Sequence, residues 1–314
     1  MNNKRERVMA IDVLIAGRLP PNVLPQLKAG FRLHTLPADA AAADVMLAEL
    51  GPSIRALLTN AAQGAPESLL AALPNLEIIS SSGVGTDALN VAIAEARGIH
   101  LGTTPGVLTD DVADAGIMLM LAASRRLLPA VRNVREGKWL RDLELSNRVT
   151  GKRLGIFGLG QIGQAVARRA AAFDMTIGYH QRTPNPQVPY RYFDSLRELA
   201  ADSDFLMVIV PGGAATENMI NGEILDALGP DGILVNIGRG TTVDEPELIR
   251  ALQSGRIRAA GLDVLANEPH VPPAMLELDN LVLIPHYASG TTETRLAMGQ
   301  RVADNLLEYF RDEL

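Results

Sequence analysis

Leu154-Gly155-Ile156-Phe157-Gly158-Leu159-Gly160-Gln161-Ile162-Gly163 places G-x-G-x-x-G directly behind an apolar strand and at the head of a segment, residues 161–173, with the pattern of a helix. Each glycine has a physical task. Gly158 permits a tight turn, Gly160 lets the backbone come close to a pyrophosphate, and Gly163 lets the helix pack against the strand. The helix start, with Gln161 and Ile162, offers unpaired N–H groups and a positive dipole end to an anion. The bland alternative is a strand-to-helix turn that binds nothing. The strand–loop–helix setting favours a dinucleotide over that alternative.

About 20 residues beyond its first glycine, a unit that binds NAD ends its second strand in an acid that holds the ribose hydroxyls. Here that stretch reads Tyr179-His180-Gln181-Arg182-Thr183 and contains no acid; Asp174, the nearest, precedes the strand. Arg182 offers a guanidinium where a 2′-phosphate would sit, and Gln181 and Thr183 can add neutral hydrogen bonds. The cofactor expected is therefore NADPH, with NADH as the alternative. The competing reading of Arg182 is an ordinary surface arginine in a loop.

Around this motif, apolar runs alternate with helical segments along the whole chain. Strands are predicted over residues 8–16, 31–36, 55–59, 77–81 and 99–102, then over 153–157, 176–180, 205–210, 233–237, 259–264 and 282–284. Alternating βα units imply parallel, doubly wound sheets, so the fold class is α/β. A long helix is expected over 110–123, a polar irregular stretch over 139–150, and a last helix over 293–310. The Ala-rich tract 38–43 enters or caps a helix.

A length of 314 residues suggests two domains, and 47% apolar residues suffice for large cores. The net charge of −7 comes without any clustering of Lys and Arg beyond a small basic tip at Lys4, Arg5 and Arg7, which argues against nucleic acid as a partner. No cysteine is present, which excludes disulfides, thiol nucleophiles and cysteine-ligated zinc. The five histidines are scattered, without an HExxH pair, so no metal site is expected. No stretch has the length of an apolar transmembrane helix, and the polar start lacks a signal-peptide pattern. A cytoplasmic protein with no membrane partner is the expectation.

Three later segments sit at predicted strand ends: Val235-Asn236-Ile237-Gly238-Arg239-Gly240, then Gly261-Leu262-Asp263-Val264 with Asn267-Glu268-Pro269, then Ile284-Pro285-His286. Ligands of open α/β sheets bind outside the carboxyl ends of strands, so Arg239, Glu268 and His286 can converge beside the glycine loop. Taken alone, Glu268 could be a capping or surface acid and Arg239 an ion-pair partner. His34 and His100 lie at strands of the first half and read as structural, and His180 ends a nucleotide strand. His270 is the competitor of His286, in a loop that reads as exposed.

With these segments, the chain resembles the D-isomer-specific 2-hydroxyacid dehydrogenase family over nearly its whole length, most strongly from Ser81 to Thr292. Within the family it is most similar to the NADPH-preferring branch of hydroxypyruvate, glyoxylate and hydroxyphenylpyruvate reductases. That likeness is carried by Tyr179–Thr183 and by Val188-Pro189-Tyr190. The resemblance implies two Rossmann-like domains: a substrate domain from residues 1–103 plus 291–314, and an inserted dinucleotide-binding domain from residues 104–290. It also implies an oxidoreductase that reduces a small 2-oxo acid to the D-2-hydroxy acid.

The roles implied fit the chemistry. A carbonyl that accepts hydride needs a proton, and His286, with an ordinary pKa of about 6.5, can hold and release one near neutral pH. Glu268 would stabilise the imidazolium. Arg239 would bind the substrate carboxylate with its planar fork and polarise the carbonyl. Backbone N–H groups of Val84 and Gly85, in Ser82-Gly83-Val84-Gly85, would receive the carboxylate, and Ser289 would border the substrate.

Thr109 and Asp263 resemble nicotinamide-side residues, although either could be a helix cap or a strand-end polar group. Pro211 and Ile237 would line the cofactor, and Gly290 would approach the nicotinamide. Tyr287-Ala288-Ser289-Gly290 departs from many relatives and reshapes the expected pocket. Residues 110–150 resemble the family's dimer-forming arm, which makes a homodimer the expected assembly. Other branches of the family act as dinucleotide-sensing corepressors or oxidise formate or phosphite. No docking or DNA-binding extension favours the corepressor reading here.

Overall fold

Buried residues of the first strand alternate between two faces, Val13 and Ile15 packing on one side and Leu14 and Ala16 on the other. That is the period-two pattern of a strand covered on both faces. In the structure, a computed structural model that describes residues 10–314, two units are present. One is Met1–Leu108 with Thr291–Leu314, the other Thr109–Gly290. The predicted start at Val8 and Met9, and the basic tip, lie outside the described residues.

The first unit runs β1 (Ile11–Ile15), α1 (Val23–Leu27), β2 (Phe31–Thr35), α2 (Ala40–Leu50), β3 (Ile54–Asn60), α3 (Glu67–Ala72), β4 (Ile78–Ser82), α4 (Val91–Ala96) and β5 (His100–Gly102). Its five strands are all parallel, in the order β2-β1-β3-β4-β5. The helix from the far end of the chain closes one face: Val302, Ala303, Leu306 and Phe310 share a core with Val13, Ile15 and Leu58. Asn305 secures that contact, its buried amide donating to Ser80 Oγ at 3.0 Å and to Thr103 O at 3.3 Å.

The second unit begins with α5 (Thr109–Ser124) and α6 (Leu127–Arg135). It continues with β6 (Arg153–Phe157), α7 (Gln161–Ala171), β7 (Thr176–His180), β8 (Arg191–Tyr192), α8 (Leu196–Ala201), β9 (Phe205–Val208) and α9 (Gly222–Leu228). The series ends with β10 (Ile233–Asn236), α10 (Glu245–Ser254), β11 (Ala259–Leu262), α11 (Pro273–Leu276) and β12 (Leu281–Leu283). α12 (Thr292–Tyr309) then returns to the first unit. The seven-stranded order, β12-β11-β10-β9-β6-β7-β8, is that of a dinucleotide-binding sheet with one strand added beyond β11. The strand order reverses between β6 and β9. Both sheets are parallel and doubly wound, as the alternation of strands and helices predicts.

Helix starts follow local chemistry. Asp39, Ser195, Asn221, Asp244 and Thr291 each accept a backbone N–H from the first turn of the helix they precede. Among the described residues, no helix is long and apolar enough to cross a membrane.

Three details differ from expectation. The first crossing falls at Leu108/Thr109, five residues after the expected 103/104, because Thr104 N–H bonds Gly83 O at 2.9 Å and keeps that stretch with the first unit. Predicted strands overrun their ladders at Val210, Ile237 and Val264; these residues are buried apolar groups already in loops. β8 has no periodic signal, being two residues long.

Candidate active site

The three glycines of the loop after β6 meet different surroundings. Gly158 has φ +100°, and a Cβ there would lie 2.9 Å from Val210. A Cβ on Gly163 would lie 2.3 Å from the carbonyl oxygen of Gly158, so only glycine lets α7 pack this close. Gly160 is different: its φ is ordinary at −74°, and a Cβ would meet nothing within 4 Å. The fold gives the first and third glycines their reasons and gives the second none. A group outside the chain approaching that backbone supplies one, so a pyrophosphate fits the turn, with Gly160, Gln161 and Ile162 at the N-terminus of α7 to hold it.

The end of β7 is braced from two sides. Gln181 Oε1 accepts the N–H of Leu159 inside the glycine loop at 3.1 Å, and Gln181 Nε2 donates to Thr183 O at 2.7 Å. Expected as a ligand of the cofactor, Gln181 uses its amide to tie the strand end to the loop. β8, unseen in the sequence, supports the same place. Tyr192 Oη donates to Gln181 O at 3.1 Å, and His180 Nδ1 lies 2.9 Å from Phe193 O. Arg182 and Thr183 are left exposed beyond this brace.

At the carboxyl ends of β10, β11 and β12 the other site residues assemble. Buried Asn236 holds the Arg239 turn: its Oδ1 accepts Gly238 N–H at 3.0 Å, and its Nδ2 donates to Arg239 O at 2.9 Å. Thr242 Oγ1 also donates to Arg239 O, at 2.6 Å. The half-buried Arg239 guanidinium donates to Gly238 O at 2.8 Å, and its charge acts on Glu268.

Glu268 and His286 meet, with Oε2 2.8 Å from Nδ1 and each side chain about a third exposed, at 33% and 38%. The ring donates from Nδ1, which leaves Nε2 as the nitrogen that can pass a proton outward. Burial pushes the Glu268 carboxyl up, but the His286 hydrogen bond and charge, the Leu265 N–H and the Arg239 charge outweigh it and hold the group below its ordinary value. His286 sits at φ +48°, a conformation costly for a residue with a side chain and therefore held by its neighbours.

Those neighbours are mainly Asp263. Its carbonyl accepts His286 N–H at 2.7 Å, and its carboxylate accepts the N–H groups of Tyr287 at 2.5 Å and Ala288 at 3.1 Å. Burial pushes the Asp263 carboxyl up despite these bonds. Expected near the nicotinamide, Asp263 here clamps the turn that carries His286.

Of the other expected residues, Thr109 opens α5, which Arg169 of α7 holds through Asp110 at 3.0 Å and Asp114 at 2.5 Å. Pro211 follows β9 exposed and Ile237 follows β10 buried; Ser289 and Gly290 are half-buried behind Tyr287. Val84 and Gly85 belong to the first unit, just past β4, where Val84 is exposed.

Among the other histidines, His34 pairs with Asp12 at 2.6 Å between β1 and β2, largely buried and within a sheet. His100 lies against Tyr309, and His270 is exposed. Asn236 and Glu245 are the residues that sequence reasoning missed. Asn236 carries a weak signal, as a lone amide ending an apolar strand. Glu245 carries none, since acids are common in the first turn of a helix.

Comparison with known proteins agrees with this geometry. Residues 117–288 match the family model described as D-isomer specific 2-hydroxyacid dehydrogenase, NAD binding domain. The chain is 46% identical over 302 residues to hydroxyphenylpyruvate reductase of Plectranthus scutellarioides, covering 96% of each. It is 43% identical over 303 residues to 2-ketogluconate reductase of Gluconobacter oxydans strain 621H, again covering 96% of each. An NADPH-dependent glyoxylate/hydroxypyruvate reductase from Sinorhizobium meliloti, solved in complex with NADP and malonate, aligns with a TM-score of 0.89 at 43% identity, covering 95% of this chain and 93% of that one.

The glycine loop yields a paired expectation. Gly160→Ala should leave folding stability little changed, since its φ is ordinary and a Cβ there meets nothing within 4 Å, and the freedom lost by the unfolded chain offsets alanine's poorer fit as the N-cap of α7. It should also weaken dinucleotide binding at least about tenfold, or about 1.4 kcal/mol. Gly163→Ala should lower both. Denaturant midpoints and fluorescence titration with NADPH separate the two, and unimpaired binding by Gly160→Ala would refute the assignment.

Proposed function

The chain belongs to the D-isomer-specific 2-hydroxyacid dehydrogenase family and is a nicotinamide-dependent oxidoreductase of 2-oxo and 2-hydroxy acids; we propose that Arg239, Glu268 and His286 carry its chemistry and that NADPH is its preferred hydride donor. The observation that carries the first part is the Glu268–His286 bond at 2.8 Å, set beside Arg239 at the carboxyl edge of the nucleotide-binding sheet. The nicotinamide nucleotide, when bound, supplies the hydride. Arg239 binds the substrate carboxylate with its planar fork and orients the carbonyl beside it. As the carbonyl carbon is reduced, charge builds on its oxygen, and His286 Nε2 delivers the proton that quenches it. Glu268 accepts the Nδ1 hydrogen and so fixes the tautomer and orientation that present Nε2 to the substrate. In the oxidative direction the same pair removes the proton from the hydroxyl.

The substrates named for the relatives, hydroxyphenylpyruvate, glyoxylate, hydroxypyruvate and 2-ketogluconate, share a carboxylate next to a carbonyl. Arg239 recognises that shared end. A small 2-oxo acid is thus the substrate class. His286→Asn should lower reductive turnover at least about 100-fold, within the usual worth of general acid catalysis, while NADPH binding persists. Near-normal turnover would transfer the role to His270.

Preference for NADPH rests on Arg182, exposed at the end of a strand that carries no acid to repel a phosphate. Gln181 supports this indirectly by holding the strand end to the glycine loop. Arg182→Ala should weaken NADPH about ten- to a hundred-fold, the loss of a hydrogen bond to a charged group worth about 1.5–3 kcal/mol, and leave NADH little changed. Measured kcat/KM values falling equally with both cofactors would assign Arg182 to the loop's fold instead.

The assembly proposed is a homodimer formed through the arm after α5. Leu127, Leu128, Val131 and Val134 are exposed on α6, and Trp139 and Leu140 are 70% and 72% exposed beyond it. The arm is nevertheless fixed to its own unit: Ser124 Oγ bonds Asn147 O at 3.0 Å and Arg258 bonds Leu145 O at 2.9 Å. A held, apolar and uncovered surface of this kind fits a second copy of the chain. Sedimentation should show a dimer that Val131→Asp with Val134→Asp dissociates; a stable, active wild-type monomer would refute it.

A further inference from the structure

Glu245 is a buried acid, 9% exposed, that the chemistry above leaves without a task. It is the first residue of α10, a place where an acid ordinarily faces solvent and complements the helix dipole. The helix start is already capped by Asp244, whose Oδ1 accepts Glu247 N–H at 3.0 Å. Glu245 turns away from its helix instead, and its Oε1 accepts the N–H of Ala266 at 2.6 Å. Burying a carboxylate is unfavourable. Burial pushes its carboxyl up, and the negative charge of Glu268 adds to that.

What this arrangement secures is the loop carrying Glu268. Two successive N–H groups of that loop are held by two different carboxylates: Leu265 by Glu268 Oε1 at 3.0 Å, and Ala266 by Glu245. The same loop lies on the Arg239 turn, for a Cβ on Gly240 would fall 1.8 Å from Leu265 C and 2.2 Å from Ala266 N. Glu245 follows that turn by a few residues, so its bond to Ala266 ties the segment carrying Arg239 to the segment carrying Glu268.

We propose that Glu245 is a positioning residue for the reduction: by holding Ala266 N–H it fixes the Glu268 loop, and through Glu268 the orientation of His286, relative to Arg239. The proposal rests on the assignment of Glu268 and His286 made above. The charged groups that act on the pair are Asp263, Arg239 and Glu245 itself.

The test uses the full-length enzyme with NADPH and a 2-oxo acid. Glu245→Ala should lower kcat at least about tenfold, leave NADPH affinity within about twofold, and move the acid limb of the kcat profile to higher pH, because a loosened Glu268 loses part of the His286 bond that holds its carboxyl below its ordinary value. Glu245→Gln, which keeps an acceptor oxygen at the same reach, should restore kcat to within about threefold. In a Glu268→Gln background, Glu245→Ala should cost little more, the non-additivity expected of residues acting through one contact. If the alanine variant does not fold, Glu245→Asp, with its shortened reach, must show the same pH shift. Unchanged kcat and pH limb, full additivity with Glu268→Gln, or loss of NADPH binding would each overturn the proposal. Normal turnover by His286→Asn would overturn the catalytic assignment and this inference with it, whereas an inactive His286→Asn beside a normal Glu245→Ala would overturn this inference alone.

Discussion

In a sheet whose strands all run the same way, every loop leaving a carboxyl end emerges along one edge. The second unit obeys this without exception from β6 to β12. The glycine loop leaves β6, the Gln181–Arg182 end leaves β7, and Pro211 follows β9. The Arg239 turn leaves β10, Asp263 and Glu268 follow β11, and His286 follows β12. Residues up to 128 positions apart thus share one edge because backbone ladders leave them nowhere else to go. Side chains then refine positions along that edge.

That refinement is made largely by side-chain bonds to backbone. Asn236 and Thr242 set the Arg239 carbonyl, Asp263 sets three consecutive residues from His286 onward, and Glu268 and Glu245 set Leu265 and Ala266. Three acids crowd this edge, and their mutual repulsion is visible in the upward push that Glu268 exerts on Asp263 and Glu245. Of the three, Glu268 is held below its ordinary value, because the His286 hydrogen bond and charge, the Leu265 N–H and the Arg239 charge together outweigh its burial, whereas the His286 charge does not outweigh the burial of Asp263.

Much of this is legible in the amino-acid order. The glycine loop announces its strand, turn and helix in ten residues, and Glu268 and His286 stand in strand-end motifs before the 2.8 Å contact is seen. The less legible parts have a common cause. Glu245 binds Ala266 across 21 residues, Gln181 binds Leu159 across 22, and Asp263 binds Tyr287 across 24. Such bonds depend on where loops lie in space and leave no periodicity or local pattern behind. β8 escapes for a different reason: two residues cannot display a period of two, and Arg191–Tyr192 pairs only at the sheet's margin.

The discontinuity of the first unit bears on how the chain acquires its shape during synthesis. Strands β1 to β5 are made first, yet their core lacks Val302, Ala303, Leu306 and Phe310 until α12 has been translated. At about 5–20 residues per second, that delay is on the order of 10–40 seconds. Throughout it, one face of the first sheet is covered only in part, by Val23 and Leu27 of α1, while residues 109–290, uninterrupted in sequence, can complete their own core. The first third of the chain is therefore the later to finish folding.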